Sequence, residues 1–65
     1  MTIAPGQREP SLPELRAEAR YAADRLSLYR QRMYGGRGDP RRLAELERVA
    51  EGAAGRLRRA EERAP

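Results

Sequence analysis

The residues best suited to chemistry in this chain are five arginines that lie close together near its middle. They share residues 30–42 with one acid, Asp39, so that segment carries five positive charges less one, or +4. The whole chain also has a net charge of +4, and its other residues are therefore neutral in sum. A guanidinium offers a planar fork of donors that suits carboxylates, phosphates and aromatic faces. The five are Arg30, Arg32, Arg37, Arg41 and Arg42.

Two of these arginines stand where a helix disfavours them. Arg41 and Arg42 follow a helix start signal, and the positive end of a helix dipole favours acids. Such a departure from a local rule points to function, and aromatic residues and methionine beside it add surface typical of interfaces. We therefore predict a partner-binding site at residues 29–42, called the tip. Its members are Tyr29, Arg30, Arg32, Met33, Tyr34, Arg37, Arg41 and Arg42, of which Arg37, Arg41 and Arg42, with Asp39, are candidates for contact with an anion or nucleotide.

Three interpretations of the tip remain open: a solvated end of an arginine-rich protein, a surface for an acidic protein, or a site for phosphate groups or nucleic acid. Catalysis is not expected. The chain has no histidine and no cysteine, so it lacks the usual bases, thiols and soft metal ligands, and its acids show no metal-binding pattern. We expect no metal, no cofactor and no enzymatic activity.

Two helices must position the tip. Ser11 and Glu14 form the pattern of a capping box, with Pro13 in the first turn. Apolar residues then recur at spacings of three and four until Gly35, which is a heptad seam. Tyr21 and Tyr29 lie on or beside it, where core packing is the expected role. The seam residues are Leu12, Leu15, Ala19, Ala22, Leu26, Tyr29 and Met33.

A second helix follows the glycine-rich segment 35–38. Asp39 is a suitable N-cap and Pro40 a suitable first residue. Gly52 and Gly55 lie inside this helix, which makes its middle either a weak point or a place where another backbone comes close. The seam residues are Leu43, Leu46, Ala50, Ala53, Leu57, Ala60 and Ala64.

These signals predict an all-α fold: a two-helix antiparallel coiled-coil hairpin, with helices over about 11–34 and 40–63 and a loop at 35–39. Folding about Gly38 places large seam residues against small ones and brings Arg16 near Glu61 and Arg30 near Glu47. One hairpin of this length buries little apolar surface, so pairing of two copies into a four-helix bundle is a further expectation.

Residues 1–10 show no apolar period and contain Pro5, Gly6 and Pro10, which predicts a disordered or loosely docked arm. The chain has neither an apolar run long enough to span a membrane nor the pattern of a secretory signal. We therefore expect no membrane contact and a cytoplasmic location.

The segment from Tyr29 to Asp39 resembles Tyr-Arg-x-Arg-Leu-Leu-x-Gly-Arg-x-Asp in RsiG-type anti-sigma factors of actinobacteria, a source that also suits an arginine- and alanine-rich composition. The resemblance implies a helical hairpin that holds a sigma factor with cyclic di-GMP as a bridging ligand. The positions of that family's nucleotide signature fall on Asp24, Leu28, Gln31, Gly35 and Asp39. Only Asp39 is identical and Asp24 conservative, so the resemblance favours a hairpin regulator more than nucleotide binding.

The sequence thus predicts a small regulatory or adaptor hairpin that binds a protein with an acidic surface, with a sigma factor as one candidate. The alternatives are nucleotide or nucleic-acid binding through the tip and a purely structural, self-associating four-helix bundle.

Overall fold

A computed structural model describes residues 10–64 and places them in two packed helices. Helix α1 spans Leu12–Tyr34 and helix α2 spans Pro40–Arg63, with residues 35–39 between them. The described part of the chain contains no strand. The predicted all-α helical hairpin is therefore confirmed. The arm predicted over residues 1–10 lies, except for Pro10, outside the described residues.

Both helices begin at the cap residues that the sequence predicts. The Ser11 hydroxyl accepts a hydrogen bond from the Glu14 N–H at 3.3 Å, and the Glu14 carboxylate accepts one from the Ser11 N–H at 3.3 Å. At the start of α2 the Asp39 carboxylate accepts a hydrogen bond from the Arg41 N–H at 3.0 Å. Each cap satisfies an amide that has no partner within its helix.

Helix α1 ends in a Schellman motif, which turns the chain sharply toward α2. The Arg37 N–H donates to the Arg32 carbonyl at 3.0 Å, and the Gly36 N–H donates to the Met33 carbonyl at 3.0 Å. Gly36 adopts a φ of 76°, the left-handed conformation that this motif requires of its central residue. The chain reversal thus depends on glycine at position 36.

Three ion pairs join the helices and fix their antiparallel register. Arg16 Nε lies 3.9 Å from the Glu61 carboxylate, and an Arg30 guanidinium nitrogen lies 3.6 Å from that of Glu47. Both pairs were predicted from the heptad register and are confirmed. A third and shorter pair, at 2.9 Å, joins Arg56 to Glu18.

The core between the helices is thin. Its buried apolar residues are Leu15, Ala22, Leu46 and Ala53, and none of their side chains is large and fully enclosed. The seam residues around them, such as Leu26 and Leu57, are half-buried. The hairpin is therefore a single layer whose two broad sides both face solvent.

The structure distinguishes between the two interpretations of Gly52 and Gly55, a weak point in α2 or a close approach of another backbone. A Cβ atom added to Gly52 would meet only the Arg56 guanidinium, at 3.5 Å, and one added to Gly55 would meet only the guanidinium groups of Arg59 and Arg58. No atom of α1 comes within 4 Å of either position. Within the hairpin these glycines are weak points of a helix and not sites of close backbone approach.

Candidate functional site at the hairpin tip

The tip is held in shape by a tyrosine that reaches across the loop. Tyr29 is half-buried near the end of α1, and its hydroxyl accepts a hydrogen bond from the Asp39 N–H at 2.7 Å. The same hydroxyl donates to the Asp39 carbonyl at 3.4 Å. Tyr29 was predicted as a partner contact. The structure gives it an internal bond to the residue that caps α2.

Met33, also predicted as a partner contact, packs against the loop. A Cβ atom added to Gly38 would collide with Met33 Sδ and would lie 2.9 Å from its Cγ and 3.3 Å from its Cα. Only a residue without a side chain lets the loop lie this close to α1. The tip is thus closed by two contacts between α1 and the loop, one polar and one apolar.

The five tip arginines fall into two groups. Arg30 is paired with Glu47, and Arg42 lies 3.4 Å from Glu45 on the next turn of its own helix. Arg32, Arg37 and Arg41 have no acidic partner among residues 10–64. All three side chains are exposed, so the unbalanced positive charge of the tip belongs to them.

Apolar side chains are also exposed near this end of α1. Tyr34 is 88% exposed at the last residue of α1, and Leu28 is 63% exposed six residues before it. Leu28, Gln31, Arg32, Gly35 and Arg37 line a shallow concavity of about 320 Å³. Leu28 was not predicted as a site residue, although its place off the heptad seam marks it as a large apolar side chain turned away from the core.

The positions that the anti-sigma resemblance aligns with a nucleotide signature do not form one cluster. Leu28, Gln31 and Gly35 border the tip concavity. Asp24 borders a different concavity, beside Tyr21. The Asp39 carboxylate accepts the Arg41 N–H as the cap of α2, so its contact within the chain is structural.

The expectation that Tyr21 packs in the core was wrong. Tyr21 was expected to pack in the core, but it is 65% exposed because it lies one residue, or about 100°, away from the seam residue Ala22. Its ring contacts the guanidinium of Arg25, whose central carbon is 5.7 Å from the ring centroid. Val49 on α2 is similarly 56% exposed.

Among residues 10–64 no group of three or more histidine, cysteine, aspartate or glutamate side chains is arranged to hold a metal ion. Neither α1 nor α2 combines the length and the apolar content that crossing a membrane demands. No family model, curated protein or solved structure matches the chain. The contacts of the tip are therefore the basis for a functional proposal.

Proposed function

We propose that this chain is a small cytoplasmic regulatory or adaptor hairpin that binds an acidic protein surface through its tip. One observation carries the proposal: Arg32, Arg37 and Arg41 are exposed without an acidic partner in the described chain, although Arg30 and Arg42 nearby are both paired. Unpaired arginines grouped at one end attract a surface of opposite charge and raise its rate of association.

The side chains around the arginines supply the second requirement of an interface. Arginine and tyrosine are among the residues enriched where binding energy concentrates. Leu28 exposes most of its surface in the concavity that Arg32 and Arg37 also line, and Tyr34 is exposed at the end of the same helix, so a partner that covers the tip would bury apolar area as well as pair charges. Acidic and apolar side chains next to each other on the partner would complement this arrangement.

The closed loop favours binding because little ordering is left to occur. The Tyr29 bond to Asp39 and the Met33 contact with Gly38 already fix the path between the helices. A preorganised surface loses less conformational entropy when it binds. The resemblance of residues 29–39 to anti-sigma hairpins makes a sigma factor the first partner to test, which would place the protein in transcription regulation.

The test is capture of partners from a lysate of the source cells by the immobilised chain. The variant Arg32→Glu/Arg37→Glu/Arg41→Glu should lose every specific partner that the parent retains. The matched control is Arg20→Glu/Arg48→Glu/Arg58→Glu, which changes the net charge equally but at exposed positions of α1 and α2 outside the tip. The control should keep the partner.

A partner retained by the tip variant would refute the proposal, and so would equal loss from both variants. The same proteins should be titrated with duplex DNA and with RNA at low salt. Tight binding that weakens steeply with salt and disappears only in the tip variant would favour a phosphate-bearing ligand over an acidic protein.

A further inference from the structure

One broad side of the hairpin carries exposed apolar side chains that neither the core nor the tip uses. Tyr21 and Val49 border a groove between the helices, and the buried residues Ala22, Leu46 and Ala53 form its floor. The groove has a volume of about 260 Å³. The residues lining this Tyr21–Val49 face are Glu18, Tyr21, Ala22, Arg25, Leu46, Val49, Ala53 and Arg56.

The opposite side of the hairpin is polar. It is crossed by the ion pairs Arg16–Glu61 and Arg30–Glu47. Ala23 lies seven residues from each of these arginines and so shares their stripe on α1. The Arg56–Glu18 pair crosses the Tyr21–Val49 face, but that face also carries exposed large apolar side chains and is therefore the more apolar of the two broad sides.

We propose that a second copy of this chain packs on the Tyr21–Val49 face, with its helices antiparallel to those of the first, to form a four-helix bundle. The first reason is the weakness of the single hairpin. Two of its four buried apolar residues are alanines. A small core of this kind usually requires a disulfide, a metal or association. The chain has no cysteine, and its described residues hold no candidate metal cluster.

The second reason is the size of the face. A helix of 23 residues is about 34 Å long, and two helices side by side present a width of roughly 20 Å. Their product, roughly 700 Å², is close to the ~800 Å² that each partner buries in a standard stable interface. A second hairpin of the same length would cover most of the face.

The third reason is the charge pattern. Glu18 and Arg25 lie three residues before and four residues after Tyr21 on α1. A two-fold axis that passes beside Tyr21 and perpendicular to α1 therefore places Glu18 of each copy, which is also paired with Arg56 of its own chain, opposite Arg25 of the other. The same axis sends the two positive tips to opposite ends of the bundle, where screening removes their repulsion. Leu28, seven residues from Tyr21, shares this face and is covered in the dimer, whereas the loop with Arg37 lies beyond the overlap and stays accessible to a partner.

The first measurement is the mass in solution by sedimentation equilibrium between about 10 and 100 μM. The parent chain should have twice the mass of one chain. Tyr21→Glu/Val49→Glu should be monomeric, because it places four carboxylates in the interface. The control Ala23→Glu/Ser27→Glu adds the same charge on exposed positions of the polar side and should remain dimeric. A monomeric parent, or a dimeric Tyr21→Glu/Val49→Glu variant, would overturn the proposal.

The second measurement does not depend on a disruptive variant. Because the chain has no cysteine, a single introduced thiol can only pair with the thiol of another copy. Tyr21→Cys should oxidise readily to a linked dimer, whereas Ala23→Cys should stay largely unlinked under the same conditions. Equal rates of linkage for the two variants would refute this face as the interface.

The third measurement tests the orientation of the two copies. Tyr34 lies 13 residues from Tyr21, or about 20 Å along α1, so spin labels on Tyr34→Cys should be about 40 Å apart in an antiparallel dimer. A mean separation of about 20 Å or less would mean that the tips lie at the same end, which would overturn the arrangement proposed here.

Discussion

The hydroxyl of Tyr29 bonds both backbone groups of Asp39, accepting from its N–H at 2.7 Å and lying 3.4 Å from its carbonyl oxygen. Asp39 is at the same time the residue whose carboxylate caps α2. One side chain of the first helix therefore holds the start of the second. The direction of the chain reversal is set by this bond together with the Schellman turn at Gly36.

Removal of the Tyr29 hydroxyl should loosen the tip without disturbing the seam. Tyr29→Phe keeps the ring in place and loses two hydrogen bonds, so we expect the free energy of unfolding to fall by about 0.5–1.5 kcal/mol. Thermal unfolding followed by circular dichroism at fixed concentration measures the change. Tyr34→Phe is the control, because the Tyr34 side chain is 88% exposed and has no hydrogen bond in the described chain. Equal effects of the two variants would contradict a structural role for the Tyr29 hydroxyl.

The loop should be more sensitive to a methyl group at Gly38 than at Gly36. Gly38→Ala would drive its Cβ into the Met33 side chain and place it in tight contact, at 3.3 Å, with the Met33 Cα, and should cost about 1–3 kcal/mol of stability. Gly36 has open space around it, and its constraint is the φ of 76°. Gly36→Ala should therefore cost about 1 kcal/mol, and Gly36→Asn less, because asparagine tolerates this conformation.

Denaturant unfolding of the three loop variants would give this order directly. If Gly36→Asn proved as unstable as Gly36→Ala, positive φ would not be the cause at that position. A Gly38→Ala variant as stable as the parent would show that Met33 does not hold the loop.

The ion pairs between the helices should contribute little each, in an order set by their geometry. The Arg56–Glu18 pair at 2.9 Å should show a larger coupling energy than the Arg16–Glu61 pair at 3.9 Å, with both within about 0–1 kcal/mol because the side chains are about half exposed. Double-mutant cycles with alanine at low salt measure the coupling, which should shrink at 1 M salt. Coupling that is equal for the two pairs, or unaffected by salt, would contradict this account.

Caps, seam and register follow from local or periodic signals, and the sequence predicts all three. Ser11 with Glu14, and Asp39 with Pro40, mark helix starts by chemistry that acts within one turn. The seam then determines the register, and with it the Arg16–Glu61 and Arg30–Glu47 pairs. The hydrogen bonds of the Tyr29 hydroxyl to the Asp39 backbone do not follow from such signals, because they depend on the path of the loop between the helices.

The exposed apolar residues show that a position next to the heptad seam in sequence does not imply burial in the core. Tyr21 neighbours a seam residue in sequence, yet one step along a helix turns a side chain by about 100°. Leu28 and Val49 also stand off the seam, and both are exposed. Large apolar residues off a seam are the sequence signal for apolar surface outside the helix–helix core. The pairing of individual tip arginines depends on side-chain positions that no periodicity specifies.

Replacement of the two glycines of α2 should stabilise the hairpin. Gly52→Ala and Gly55→Ala remove the conformational freedom of glycine in the unfolded chain, and each new methyl group meets only movable guanidinium groups at 3.5 Å or more. We expect a gain of about 0.5–1 kcal/mol for each, additive in the double variant. Thermal unfolding at one fixed concentration measures it, and Ala54→Gly, within the same turn, should lower stability by a similar amount. A loss of stability in Gly52→Ala or Gly55→Ala would mean that another backbone packs against these glycines, on the edge of α2 that faces away from α1.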